Sequence, residues 1–173
     1  QARITACEGF KGNFSTTVQC GSGGQPERIE HGVILVATGA TEYRPTEFLY
    51  GEDGRVMTQV ELGDALAEKG AAELQSVVMI QCVGSREEPA QYCSRVCCQD
   101  AIKNAIAIKK RNPAAEVVII YRDIRTYGLR EDYYKEARDL GVLFVRYDVD
   151  RKPVVEQKGG KVLVKAWDFM LNR

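Results

Sequence analysis

The chain is 173 residues long, with 24 Lys and Arg against 24 Asp and Glu, a single His, six Cys and 45% apolar side chains. A fold of this length withdraws about 70% of its unfolded surface from water, so an ordinary core is within reach without covalent staples; the cancelled charge removes the electrostatic footprint of a nucleic-acid or anionic-membrane binder. The longest apolar runs, VILVA at 33–37 and VVMI at 77–80, are far below the ~20 residues that cross a bilayer, and no direct membrane insertion is expected.

The chain opens on Gln1 rather than Met and carries no basic-apolar leader, so we expect a piece of a longer, cytoplasmic polypeptide. The first segment alternates in polarity around GNFSTTVQC, breaks at the turn cluster GSGGQP and resumes as a strand in GVILVATGA; it reads as a sheet fragment. Cys7 and Cys20 in this region are expected to be buried or half-buried fillers without a role, because a free Cys packs like a small hydrophobe. His31, next to Gly32, reads as a surface-turn residue. In TQVELGDALAEKG, Thr58 and Glu61 have capping-box spacing, Leu62, Ala65 and Leu66 form one apolar stripe, and Gly70 supplies the stop.

From Ser76 the pattern is strand VVMIQCV, loop, helix to about Lys110, breaker NP, strand EVVIIY, loop, helix REDYYKEARDL, Gly141 and strand VLFVRY. Strand–helix–strand–helix–strand predicts a Rossmann-like α/β fold with a parallel sheet. The tail PVVEQKGGKVLVKAW reads as a hairpin closed by Gly-Gly and added at one side of that sheet, with Trp167 as an apolar anchor. The expected organisation is a sheet segment over 1–57, a connecting helix over 58–75 and a nucleotide-binding-like α/β domain over 76–173.

A dinucleotide-binding unit runs from its first strand into G-x-G-x-x-G, which lets the backbone approach a pyrophosphate at the next helix N-terminus. Here Gly84 alone survives, and Glu87, Glu88, Pro89 and Gln91 add charge and stiffness unsuited to phosphate; NAD(P) is disfavoured. In its place stand Cys82 at the strand end and Cys93, Cys97 and Cys98 around the helix start. Strand end and helix start face one crevice, where a helix N-terminus with Arg86 and Arg95 nearby favours thiolates. Tetrahedral zinc needs sulfurs about 3.8 Å apart, whereas adjacent Cys97 and Cys98 diverge by roughly 100° on a helix. The spacing suits an iron–sulfur cluster better. Zinc and a redox dithiol stay open as alternatives.

The run QCVGSREEPAQYCSRVCCQDAIKNA followed by YRDIRTYG resembles the A subunit of heterodisulfide reductase and its relatives, including the flavoprotein subunit of quinone-interacting membrane-bound oxidoreductase. The resemblance covers nearly the whole chain. It implies a flavoprotein built like thioredoxin reductase, an FAD domain interrupted by a second nucleotide-domain-like unit, with residues 1–57 part of the FAD domain. VILVATGATEYRP looks like a late FAD-domain motif, a strand ending in Thr38 and Gly39 where the backbone passes the flavin nucleotide. The family's N-terminal G-x-G-x-x-G is absent from these residues, so FAD is expected in the full-length parent and not in this piece alone. Carried over, the thiolates of a [4Fe-4S] cluster fall on Cys82, Cys93, Cys97 and Cys98. The parent would be an oxidoreductase subunit relaying electrons between FAD and this cluster, onward to partner redox subunits of a heterodisulfide-reductase-like complex; the piece alone is expected to be inactive.

YRDIRTYGLRED lies beyond the second parallel strand, bringing Arg122, Arg125, Tyr127 and Arg130 toward the same crevice, either as a cationic rim for cluster or partner or as solvated loop residues. Two other functional classes stand beside the electron relay: a cofactor-free docking module for redox subunits, and an NAD(P)-binding domain with a degenerate loop.

Overall fold

The computed structural model describes all 173 residues, in two compact units, Gln1–Glu42 and Tyr43–Arg173. In the first unit, β1 (Ala2–Phe10), β2 (Asn13–Cys20) and β3 (Pro26–His31) form an antiparallel meander in that order. Phe10 pairs with Asn13 across a two-residue turn in which Gly12 takes φ +94°, a conformation that costs glycine little. Only the central strand has a buried residue, Thr16, since one sheet layer offers its edge strands nothing to pack against.

Three sequence expectations are corrected in this unit. Residues 33–42 form no strand, and Val33, Ile34, Leu35 and Val36 are exposed. Their apolar character invites burial, yet a strand also needs a neighbour for its N–H and C=O groups, and no strand of the unit pairs with them. Cys7 and Cys20 are exposed rather than packed, because both lie where the single layer leaves side chains open. His31 ends β3 instead of occupying a turn: it stacks on Phe14 at 5.8 Å, with Nε2 2.8 Å from the Thr16 hydroxyl and Nδ1 3.0 Å from the Val33 carbonyl.

In the second unit, α1 (Gln59–Lys69) begins as its sequence dictates. The Thr58 hydroxyl accepts from the Glu61 N–H at 3.2 Å, the Glu61 carboxylate accepts from the Thr58 N–H at 2.8 Å, and Gly70 at φ +75° ends the helix. Then β4 (Ser76–Ile80), α2 (Cys97–Arg111), β5 (Glu116–Tyr121), α3 (Glu131–Asp139) and β6 (Leu143–Arg146) alternate, and the strands pair in parallel in the order β4-β5-β6. Period-2 alternation turns Val77, Met79, Val117, Ile119 and Phe144 toward the helices. Ala101, Ile102, Ala105 and Ile108, at helical spacing on α2, complete the same core. α1 is stitched to α2: Asn104 Nδ2 donates to the Gln59 backbone and side-chain oxygens at 2.9 Å each, and Arg111 donates to the Leu66 carbonyl at 2.7 Å. On the opposite sheet face Val78 and Leu143 are exposed.

β7 (Val154–Lys158) and β8 (Lys161–Lys165) form the expected hairpin, with Gly159 and Gly160 both at positive φ as a two-residue turn of the right twist requires. It does not extend the parallel sheet; its strands pair only with each other. Side chains hold it instead of a ladder. Asp53, buried, binds the Arg55 guanidinium at 2.7 Å and accepts from Gln157 at 2.8 Å, while Arg55 donates to the Gly160 carbonyl at 2.7 Å. Trp167 is half-buried, with Arg151 stacked 4.6 Å over its ring.

Candidate functional site

The Gln81 N–H still donates to the Ile120 carbonyl at 2.9 Å, and the chain then leaves the sheet at Cys82, which takes φ +64°. An L residue in this left-handed region is uncommon and marks a position its surroundings must hold. Gly84 also has φ +64°, and a Cβ there would stand 2.2 Å from the Tyr43 ring. The close approach that a pyrophosphate would exploit in a dinucleotide-binding loop is thus filled by an aromatic ring from within the unit.

α2 starts at Cys97, and its N-cap, Val96, makes no side-chain capping bond. Valine has no acceptor to offer, so the first-turn N–H groups keep their partial positive charge at the crevice. Cys98 is buried beneath this turn, Cys82 is buried at the strand end, and Cys97 is partly covered between them. The neighbouring Cys98 thiol, with the Ser94 hydroxyl and the Cys82 N–H, holds Cys97 well below the ordinary thiol range. The same contact with Cys97, reinforced by burial, pushes Cys98 far upward. Burial raises Cys82, against the pull of Arg86, whose Nη1 lies 3.8 Å from the Cys82 sulfur.

Among the four cysteines singled out in the sequence, Cys82, Cys97 and Cys98 share one crevice. Cys93 stands on the loop before α2, and its sulfur accepts from the Arg95 N–H at 3.3 Å. No three Cys, His, Asp or Glu side chains are disposed to grip one metal ion. All six cysteines are free thiols.

Of the five arginines, Arg86 and Arg122 are drawn into the crevice, with side chains 18% and 17% exposed. Arg86 pairs with Asp123 at 2.7 Å; Arg122 donates to the Arg86 carbonyl at 3.2 Å and pairs with Glu87 at 3.4 Å. Arg125 stands 3.9 Å from Asp123, and its N–H serves the Cys98 sulfur. Arg95 contributes main-chain groups, its carbonyl accepting from Gln99 at 3.2 Å. Tyr127 lines a cleft of about 450 Å³ that it shares with Arg122, Asp123, Tyr134 and Arg146, whereas Arg130 lines another with Gln99 and Lys103.

Sequence reasoning passed over three residues. Asp123 sends its carboxylate to Arg86, while its carbonyl lies 3.6 Å from the Cys98 sulfur. It directly follows Arg122 at the carboxyl end of β5, where sites in parallel sheets collect, and that position was the available signal. Gln81 is 2% exposed and its amide nitrogen has no hydrogen-bond partner. The Tyr147 hydroxyl donates to the Gln81 carbonyl at 2.9 Å; no local pattern announced either residue.

Three thiols, a helix start without a side-chain cap and two guanidinium groups lie about one strand end, surroundings that favour an anionic guest. Thr38 and Gly39 are exposed, the expected strand before them is not formed, and nothing lies within 4 Å of a Cβ placed on Gly39.

Sheet and crevice together describe a thiol-bearing parallel α/β unit with a cationic pocket at one strand end. No family model matches the sequence. The chain is 40% identical, over 86% of its length, to the A subunit of the H(2):CoB-CoM heterodisulfide,ferredoxin reductase of Methanothermobacter marburgensis, and 35% identical over 82% to that of the Ferredoxin:CoB-CoM heterodisulfide reductase of Methanosarcina acetivorans. It is 38% identical over 73% to the iron-sulfur A subunit of the CoB--CoM heterodisulfide reductase of Methanocaldococcus jannaschii. The chain belongs to the family of heterodisulfide reductase A subunits, and it spans about a quarter of the length of these relatives, 25%, 23% and 23% respectively.

Proposed function

We propose that this chain is the cluster-bearing part of an electron-transfer subunit, with Cys82, Cys93, Cys97 and Cys98 as thiolate ligands of a [4Fe-4S] cluster. The observation that carries this reading is the meeting of Cys82, Cys97 and Cys98 where β4 ends and α2 begins, with the Arg86 guanidinium on one of the sulfurs. The cluster would supply one-electron storage and transfer. The chain's own residues do the rest: the α2 N-terminus, Arg86 and Arg122 offset negative charge, and burial of Cys82 and Cys98 keeps water from the inner side. Cys93, on the loop 83–96, would close the ligand set from outside.

The strand order β4-β5-β6 is that of one half of a doubly wound sheet, which supports a Rossmann-like ancestry for residues 76–173. Tyr43 against Gly84 argues against retention of NAD(P). The flavin implied by the resemblance is assigned to the remainder of the parent polypeptide, and the partners to other redox subunits of a cytoplasmic heterodisulfide-reductase-like complex. The chain by itself is expected to turn over no substrate. No helix is long and apolar enough to cross a membrane.

Anaerobic reconstitution followed by iron and acid-labile sulfide analysis tests the reading. Equimolar iron and sulfide, lost on replacing Cys82, Cys97 or Cys98 by Ser, is the expected result. Stoichiometric zinc without acid-labile sulfide would overturn it, and full tolerance of the three substitutions would leave a docking module as the better description.

A further inference from the structure

We propose that Asp123 and Arg86 form a charge device that sets the reduction potential of the cluster, Arg86 acting on the Cys82 sulfur and Asp123 holding Arg86 in place; this rests on the cluster reading above. Arg86 is pinned from several directions. Its Nη2 is 2.7 Å from Asp123 Oδ2, its N–H donates to the Tyr92 carbonyl at 3.1 Å, and its carbonyl accepts from Arg122 at 3.2 Å. Its backbone is left-handed, φ +64°, and its side chain is 18% exposed. From this fixture Nη1 reaches to 3.8 Å from the Cys82 sulfur.

A long, flexible side chain would normally carry its charge into water. Here the second nitrogen of the guanidinium fork is anchored to a carboxylate, so the first stays at the sulfur, a geometry that a planar two-pronged cation can satisfy and an ammonium cannot reproduce. Asp123 also touches the other side of the crevice, its carbonyl lying 3.6 Å from the Cys98 sulfur. One residue thereby ties the ends of β4 and β5 to the first turn of α2. Reduction of a thiolate-ligated cluster adds a negative charge, and a fixed, partly desolvated cation beside a ligand sulfur stabilises the reduced form. Arg86 therefore raises the potential, and Asp123 is a positioning residue.

The test is a redox titration, followed by electron paramagnetic resonance, of the native polypeptide containing these residues, purified without oxygen. Arg86→Gln should lower the midpoint potential, and Arg86→Lys should fall between it and the unaltered protein. Asp123→Asn separates positioning from simple charge. Were Asp123 only a nearby negative charge, neutralising it would raise the midpoint; as the anchor of Arg86, its loss should lower the midpoint toward the Arg86→Gln value, with no further fall in the double variant. An unchanged midpoint in Arg86→Gln, or a rise in Asp123→Asn, would overturn the proposal. Should Arg86→Gln shed its iron, Arg86→Lys and Asp123→Asn carry the comparison, and loss of the cluster from Arg86→Lys too would make Arg86 a structural clamp, also overturning it. Absence of iron and acid-labile sulfide in the unaltered protein would instead sink the underlying cluster reading.

Discussion

VILVA at 33–37 and VVMI at 77–80 are near-equals in composition, yet one is an exposed segment without a strand neighbour and the other belongs to a parallel sheet. Leu35 is 86% exposed and Met79 3%. What VVMI has is a partner in register, Val77 against Val117 and Met79 against Ile119, with α2 packed on the same side chains. Hydrophobic composition expresses a demand for burial. Whether it is met depends on elements elsewhere in the chain that supply both a ladder and a cover.

The contrast can be broken most strongly at the core of the parallel unit. Ile119, fully buried, should lose about 2–5 kcal/mol of stability on truncation to Ala, while Leu35→Ala should change it by less than about 0.5 kcal/mol; urea unfolding of both variants gives the comparison, and equal losses would show that the first segment is packed after all. The loop leaving β4 comes next. Gly84→Ala forces an L residue into a left-handed conformation, at about 1–2 kcal/mol, and drives a methyl group into the Tyr43 ring. Replacing Tyr43 by Ala as well should recover the steric part and leave the backbone part, again read from unfolding midpoints.

The smallest effect belongs to the clamp on the hairpin. The Arg55 guanidinium holds the Asp53 carboxyl far below the usual carboxylate range. Because the folded-state value is the lower one, the unfolded chain binds the proton first as pH falls, so the clamp's contribution is complete above about pH 4 and disappears as acid titrates Asp53 in the folded protein. Asp53→Asn should therefore flatten the acid limb of the stability profile below about pH 4. An unaltered limb would place the acid sensitivity elsewhere.

Much of the second unit was legible because its signals are local. The Thr58–Glu61 box, the Gly70 stop, the Gly159–Gly160 turn and the strand–helix alternation each depend on a few neighbouring residues whose backbone preferences agree with the fold. β1 and the charged β3, PERIEH, carry little period-2 contrast and were not separately foreseen. In the site, a cysteine cluster can be read off the chain because a thiol's chemistry is its own. Asp123 matters only through Arg86, which lies 37 residues away, and no local pattern encodes that pairing.

Short-range signals were enough to dictate which segments of the parallel unit become helix or strand and where its turns fall, since propensity, periodicity and side-chain chemistry act over a few residues. It took the folded molecule to leave VILVA unpaired, to lay Tyr43 over Gly84, to keep Cys93 out on its loop, and to aim Arg86 at Cys82 through Asp123. Each of those outcomes depends on how residues distant in the chain meet or fail to meet, and such meetings are settled by the packing of the whole rather than by any one segment.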